Sequence, residues 1–286
     1  MKWRRRKGDS RDVIDIRGRR GPGGGLGGGG RLPIPGGMAT GGGGLGLLIV
    51  ILIIGLQMCG GASGSLSPGV ESQDPIPPGE DPQSDLKDFS VYVFEDTQDT
   101  WTQIFKTDGR KYSNAQFVLY SGNVNTEGCG SASSAVGPFY CPADDRIYID
   151  LTFFNDMEQQ LDAPGDFAWA YVIAHEMGHH VQDLLGTSEE VDTNQESVRL
   201  ELQADCYAGV WGATVFKEGA LEEGDLEEAF TAAEAVGDDR LQQKAGGGID
   251  PDSFTHGTSE QRREWFTNGY ESGDAGSCDT FSTEEL

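Results

Sequence analysis

Between Gly41 and Met58 the chain runs for 18 residues without a charged side chain, as "GGGGLGLLIVILIIGLQM". An apolar stretch of this length has few fates in water, because roughly 20 residues of helix cover the hydrocarbon core of a bilayer. Its flanks are opposite in charge. Ten of the 21 Lys and Arg residues lie within residues 1–31, opposed only by Asp9, Asp12 and Asp15, whereas the remainder carries 11 basic and 44 acidic side chains. The positive-inside rule then predicts one transmembrane helix, with the basic arm cytoplasmic and everything after Cys59 extracytoplasmic. A cleaved signal peptide fits less well, since its charged region would be unusually long and no clean small-x-small site follows. A lipoprotein reading of "LQMC" fails at Met58, where a small residue is required. A basic arm can also bind nucleic acid, but this one has no aromatic residue beyond Trp3 and leads directly into the apolar run. No nucleic-acid partner is expected.

Composition divides the rest. Gly21–Gly44 is more than half glycine, and Gly60–Ser84 is mostly Gly, Ser, Pro and acid, so neither can bury a core. The expected organisation is a basic, Gly-rich arm (1–40), a membrane span (41–58), a linker (59–85) and one folded domain (86–286). Four cysteines, Cys129, Cys141, Cys206 and Cys278, fall in the exported part, where disulfides form. Pairing Cys129 with Cys141 leaves Cys206 with Cys278, but four cysteines allow three connectivities, and free buried thiols stay open as well.

Within the domain, Trp101, Ile104 and Phe105 have helical spacing over Asp96–Lys106, whereas "QFVLYSG" and "RIYIDL" are short, β-rich and bounded by turn residues. Asp166 is placed to cap a helix through "FAWAYVIAHEMGHHVQDLL", ending at Gly186. Thr193 with Glu196, and Thr258 with Gln261, form capping boxes that open two further helices. The fold class expected is α+β: a small N-terminal sheet followed by a mainly helical C-terminal part.

The chemistry lies in "AHEMGHHVQD". Residues four apart share a helix face, so His175 and His179 can present imidazoles to one ion. With Glu176 between them this is H-E-x-x-H, a pattern in which the metal lowers the pKa of a bound water toward ~7 and the glutamate takes its proton. A third histidine six residues beyond His179 is excluded by Leu185. A carboxylate from another helix must serve, and "RLELQADCYAG" offers Glu201 and Asp205, again four apart. Glu201 as ligand completes a His, His, Glu set with an open fourth position, leaving Asp205 to hold the far nitrogen of His175. The reverse assignment, Asp205 on the metal, stays open.

These residues, with "MKWRRRKGDSRDVIDIRG", "GCGSASSAVGPFYCPADDRIYIDLTFF", "LELQADCYAGVW" and "HGTSEQRREWFTNGY", resemble the neutral zinc metallopeptidase family of membrane-anchored bacterial proteins over nearly the whole chain. The resemblance implies a zincin-type fold of the glutamate-ligand class, one catalytic Zn2+ on His175, His179 and Glu201, Glu176 as base, and a protein or peptide substrate.

Two histidines remain. His180 is turned about 100° from His179 and is expected to pack rather than ligate. His256 precedes a capped helix and either stabilises the oxyanion formed at a carbonyl or bonds its own loop. Gly178 inside the helix costs ~1 kcal/mol against Ala, which implies a close approach by another segment. "GPFYC" is a candidate edge strand for pairing with an extended peptide, or an ordinary loop held by Cys141. The function expected is a membrane-anchored extracytoplasmic zinc endopeptidase. The alternatives are a tethered peptide-binding scaffold without turnover and a hydrolase of non-protein amides or cell-wall peptide. The acid excess, with Lys at only seven positions, fits either adaptation to high salt or solubility with acidic linkers.

Overall fold

The computed structural model describes residues 1–4, 10–18, 81–283 and 286. The expected span at 41–58 lies outside them. Among the described residues no helix is long and apolar enough to cross a membrane.

Strands β2 (Gln116–Tyr120) and β6 (Arg146–Asp150) form the parallel centre of a four-stranded sheet whose order is β1 (Val13–Asp15), β2, β6 and β5 (Phe139–Cys141). Strand β5 (Phe139–Cys141) pairs antiparallel with β6 at one edge. Alternation in "FVLY" and "IYI" sends Phe117, Leu119, Ile147 and Ile149 to the helices, and Val118, Tyr120 and Tyr148 to a second cluster with Phe139 and Cys141. Burial on both faces explains why these strands read as continuous apolar runs. A small hairpin of β3 (Asn123–Asn125) and β4 (Ser131–Ser133) adds Val124 to the second cluster.

The helices are α1 (Ser84–Thr107), α2 (Phe153–Gln159), α3 (Asp166–Leu185), α4 (Asn194–Lys217), α5 (Asp225–Ala235), α6 (Asp238–Lys244) and α7 (Ser259–Ser272). The architecture is therefore α+β, a small sheet with a mainly helical C-terminal part. Both capping boxes form, and Gly186 ends α3 in the left-handed region at φ 77°. Gly209 and Gly269 allow α4 and α7 to meet backbone to backbone, since a Cβ at either would collide with the facing carbonyl of Phe266 or Cys206. The disulfides are Cys129–Cys141, tying the β3–β4 region to the sheet edge, and Cys206–Cys278, tying α4 to the C-terminal segment.

Three expectations need correction. Helix α1 starts at Ser84 and is far longer than Asp96–Lys106. Asp166 is not the cap of α3: Gly165 holds that position without a side-chain bond, and the Asp166 carboxylate instead receives the Met1 amino group at 2.7 Å. The fold also extends beyond residues 86–286, because residues expected in a free arm supply strand β1 (Val13–Asp15), parallel to β2.

The close approach expected at Gly178 is present: a Cβ there would lie 2.9 Å from the Ala204 carbonyl oxygen and 3.0 Å from Ala204 Cα. Both atoms belong to the backbone of a packed helix and yield little. Gly178→Ala should therefore lower stability by about 1–3 kcal/mol, opposite in sign to the ~1 kcal/mol gain at an open helical site. Urea unfolding of the metal-free protein measures it; unchanged or increased stability would mean that α3 and α4 separate freely.

Candidate metal centre

Helix α3 is buried on nearly every side, which an all-round apolar helix requires. Its row Tyr171, His175, His179 faces Glu201 and Asp205 on α4. His175 Nε2 lies 3.2 Å from Glu201 Oε2 and His179 Nε2 lies 3.5 Å from Glu201 Oε1. The ligand atoms of His175, His179 and Glu201 all fall within 4.8 Å of one another.

The opposite ring nitrogens are spoken for. His175 Nδ1 is 2.8 Å from Asp205 Oδ1, and His179 Nδ1 is 2.9 Å from Gln182 Oε1. The Gln182 amide is oriented by donating its Nε2 hydrogens to the Leu200 carbonyl at 2.7 Å and to Gln203 Oε1 at 3.1 Å. Carboxylate and amide oxygens accept, so each Nδ1 donates, and each Nε2 lone pair is left for a metal. Two imidazoles and one carboxylate suit a divalent ion that takes nitrogen and oxygen ligands.

Asp205 is fully buried and bound from three sides. Tyr171 Oη donates to its Oδ1 at 2.5 Å, and Arg262 on α7 approaches in a fork, Nε to Oδ2 at 2.8 Å and Nη2 to Oδ1 at 2.9 Å. Burial works against the Asp205 charge, but Arg262 and His175 outweigh it and hold its pKa below the usual value. Both Asp205 oxygens are taken up by this network, and the converging ligand atoms are those of His175, His179 and Glu201, so the arrangement favours Glu201 over Asp205 as the metal-facing carboxylate. Burial likewise opposes a charge on His175, yet Asp205 and Glu201 raise its pKa to about 10 in the metal-free site.

Glu176 is buried and opens onto the same cavity, of about 460 Å³, as His175, Glu201 and His256. Burial raises its pKa, opposed by the two imidazoles and by the backbone amide of Tyr140 in β5. His256 sits on that cavity's wall with Nδ1 3.2 Å from Asp238 Oδ1, while Asp238 Oδ2 takes the backbone N–H groups of Thr255, His256 and Gly257. The loop and ring are thus fixed together, and Nε2 is the nitrogen these contacts leave over. His180 is packed, as expected: its ring nitrogens meet the Ser113 carbonyl at 2.8 Å and Tyr140 Oη at 3.1 Å. It joins the metal helix to the edge strand.

Tyr171, Gln182, Arg262 and Asp238 were not singled out from the sequence. Tyr171 and Gln182 were accessible to the same spacing rule, lying four residues before His175 and three after His179. Arg262 and Asp238 come from distant segments and carry no local signal. The acids Asp166, Asp225 and Glu228 also cluster. They surround the Met1 amino group, 2.7 Å from Asp166 and 3.3 Å from Asp225, which supplies their counter-charge.

Residues 1–281 match the family described as "Putative neutral zinc metallopeptidase". The chain belongs to that family. It is similar to the protein YpfJ of Escherichia coli K12, 48% identical over 295 residues, covering 98% of this chain and 99% of the relative. It is also similar to the protein Rv2575 of Mycobacterium tuberculosis H37Rv, 47% identical over 191 residues, covering 61% and 65% respectively. Both carry the designation "uncharacterized". No solved structure matches the chain significantly.

The two carboxylates of α4 separate experimentally. Glu201→Ala removes one of three metal-facing groups and should leave the purified protein largely metal-free. Asp205→Asn should still load metal, with affinity or activity reduced ~10–100-fold. Metal per chain, measured by elemental analysis, decides; a metal-free Asp205→Asn beside a loaded Glu201→Ala would reverse the assignment.

Proposed function

We propose that this chain is a zinc-dependent peptidase of the zincin type, with His175, His179 and Glu201 holding Zn2+, Glu176 as general base and His256 as oxyanion partner. Zinc bound there supplies Lewis acidity, lowering the pKa of water toward ~7 and polarising the scissile carbonyl. The observation that carries the reading is Glu176: a buried carboxylate beside the ligand set, not needed as a ligand, opening onto the same cavity. A purely structural metal site has no use for such a group.

Each protein group then has a task. Glu176 takes the proton of the attacking water and delivers it to the leaving amine; the raising of its pKa by burial moves it toward the neutral range that suits a base working near pH 7. His256, held through Nδ1 by Asp238, presents its other nitrogen to the oxygen on which charge develops. Strand β5 is the sheet edge beside α3, so an extended peptide can add to it by backbone hydrogen bonds and bring a carbonyl over the cavity. The cavity wall formed by Phe153, Leu161, Val172 and Leu241 favours a bulky apolar side chain at the position next to the cleaved bond. Membrane association through residues 41–58 and an oxidising compartment, which the two disulfides favour, belong to the same proposal.

Glu176→Gln is the sharpest test. It should retain zinc and fold while turnover of a peptide library falls by several orders of magnitude; His256→Ala should retain zinc and lose ~10²–10³ in kcat. Cleavage products read by mass spectrometry check both. Near-normal cleavage by zinc-loaded Glu176→Gln would overturn the mechanism, and an intact library with the zinc-loaded wild type would favour a binding protein without turnover.

A further inference from the structure

The amino-terminal residues make three separate attachments to the domain. Strand β1 lies in register on β2, with Val13 opposite Phe117, Ile14 opposite Val118 and Asp15 opposite Leu119. The ladder is extended at both ends, Phe117 donating to the Asp12 carbonyl at 2.7 Å and Ile16 to the Leu119 carbonyl at 2.9 Å. Arg17 makes the second attachment, through Asp15 and Asp81. Its guanidinium, 1% exposed, binds Asp15 at 2.8 Å and Asp81 at 2.6 Å, with Lys87 of α1 3.4 Å from the same Asp15 oxygen. Finally, Trp3 packs on Phe89 and Tyr92 of α1, at ring-centre distances of 5.4 and 6.1 Å, while Lys2 N–H donates to the Ala220 carbonyl at 2.7 Å.

These contacts bury a charge and cover a sheet edge. Without β1, the parallel edge of β2 would expose unpaired backbone groups over the apolar pair Phe117 and Val118. Without Asp15 and Asp81, Arg17 would be a desolvated charge lacking partners, a costly state. Such features are retained in a structure where the segment is a working part of the fold. Sheet hydrogen bonds and a buried ion pair cannot form through a bilayer.

We propose that residues 1–4 and 10–18 are an integral strand and clasp of the metal-binding domain and lie on the same side of any membrane as the metal centre. The Arg17–Asp81 ion pair joins this segment to the start of α1. Residues 10–18 and the domain are therefore not partitioned across a bilayer. The charge asymmetry that favoured partition counts Arg17, which the fold neutralises with Asp15 and Asp81. The inference concerns sidedness only and stands whether or not the protein hydrolyses peptides.

The test uses the full chain, expressed in a bacterial host, with Cys59→Ser to remove the cysteine outside the two disulfides. Single reporters are placed at two exposed positions outside the metal centre, Arg11→Cys and Lys106→Cys. A membrane-impermeant maleimide is applied to intact spheroplasts and, separately, to denatured lysate, where both sites must react. The expected result is the same behaviour at both positions, either both labelled in intact spheroplasts or both protected until lysis. One labelled and one protected would overturn the proposal. Where either reporter fails to accumulate, Ile14→Cys with Val118→Cys supplies the second measurement, since these register partners face the same cluster. Oxidative cross-linking of that pair supports the strand, and absence of the cross-link in folded protein that carries both native disulfides contradicts it.

Discussion

The backbone contact between α3 and α4 at Gly178 and Ala204 governs the rest of the site. Two histidines on one helix and a carboxylate on another converge on one ion only when the helix axes approach unusually closely, and a side chain at Gly178 would hold them apart. A residue that weakens an isolated helix by ~1 kcal/mol thereby sets the distance from His175 and His179 to Glu201. The disulfide from Cys206 and the glycine contacts between α4 and α7 hold α4 from its other side.

Electrostatics complete what packing begins. Glu201, Asp205 and Glu176 place three carboxyl groups in a nearly dry region, and without compensation their mutual repulsion would disfavour the fold. Arg262 is the fixed positive charge that offsets part of it, bound in a fork to Asp205 and 3.8 Å from Glu201 Oε2. Losing one member of such a buried pair typically costs about 3–5 kcal/mol. Asp205 and Glu201 also favour the charged form of His175, and a metal ion competes with that proton, so affinity should climb as pH rises.

Much of this was legible in the sequence because it depends on local spacing. His175, His179, Glu201 and Asp205 each obey the four-residue helical rule, and the capping boxes at Thr193 and Thr258 depend on three-residue separations. The two short strands were visible as β-branched and aromatic runs, and the packing of His180 followed from its angle on the helix. What escaped was non-local. "VIDI" at residues 13–16 is too short a strand signal to stand against ten surrounding basic residues, and only β2, a hundred residues later, gives it a partner. Asp166 has the composition of a cap, but a neighbouring amino group competes for its carboxylate. Arg262 and Asp238 become recognisable only once α7 and α6 are placed against the metal helix.

The zinc K-edge X-ray absorption spectrum of the zinc-loaded protein tests the ligand set of His175, His179 and Glu201 most directly. The expected spectrum has two imidazole nitrogens at about 2.0–2.1 Å, with the remaining ligands oxygen at about 2.0–2.2 Å and no sulfur. A spectrum with fewer than two imidazoles, or with a sulfur shell near 2.3 Å, would contradict it.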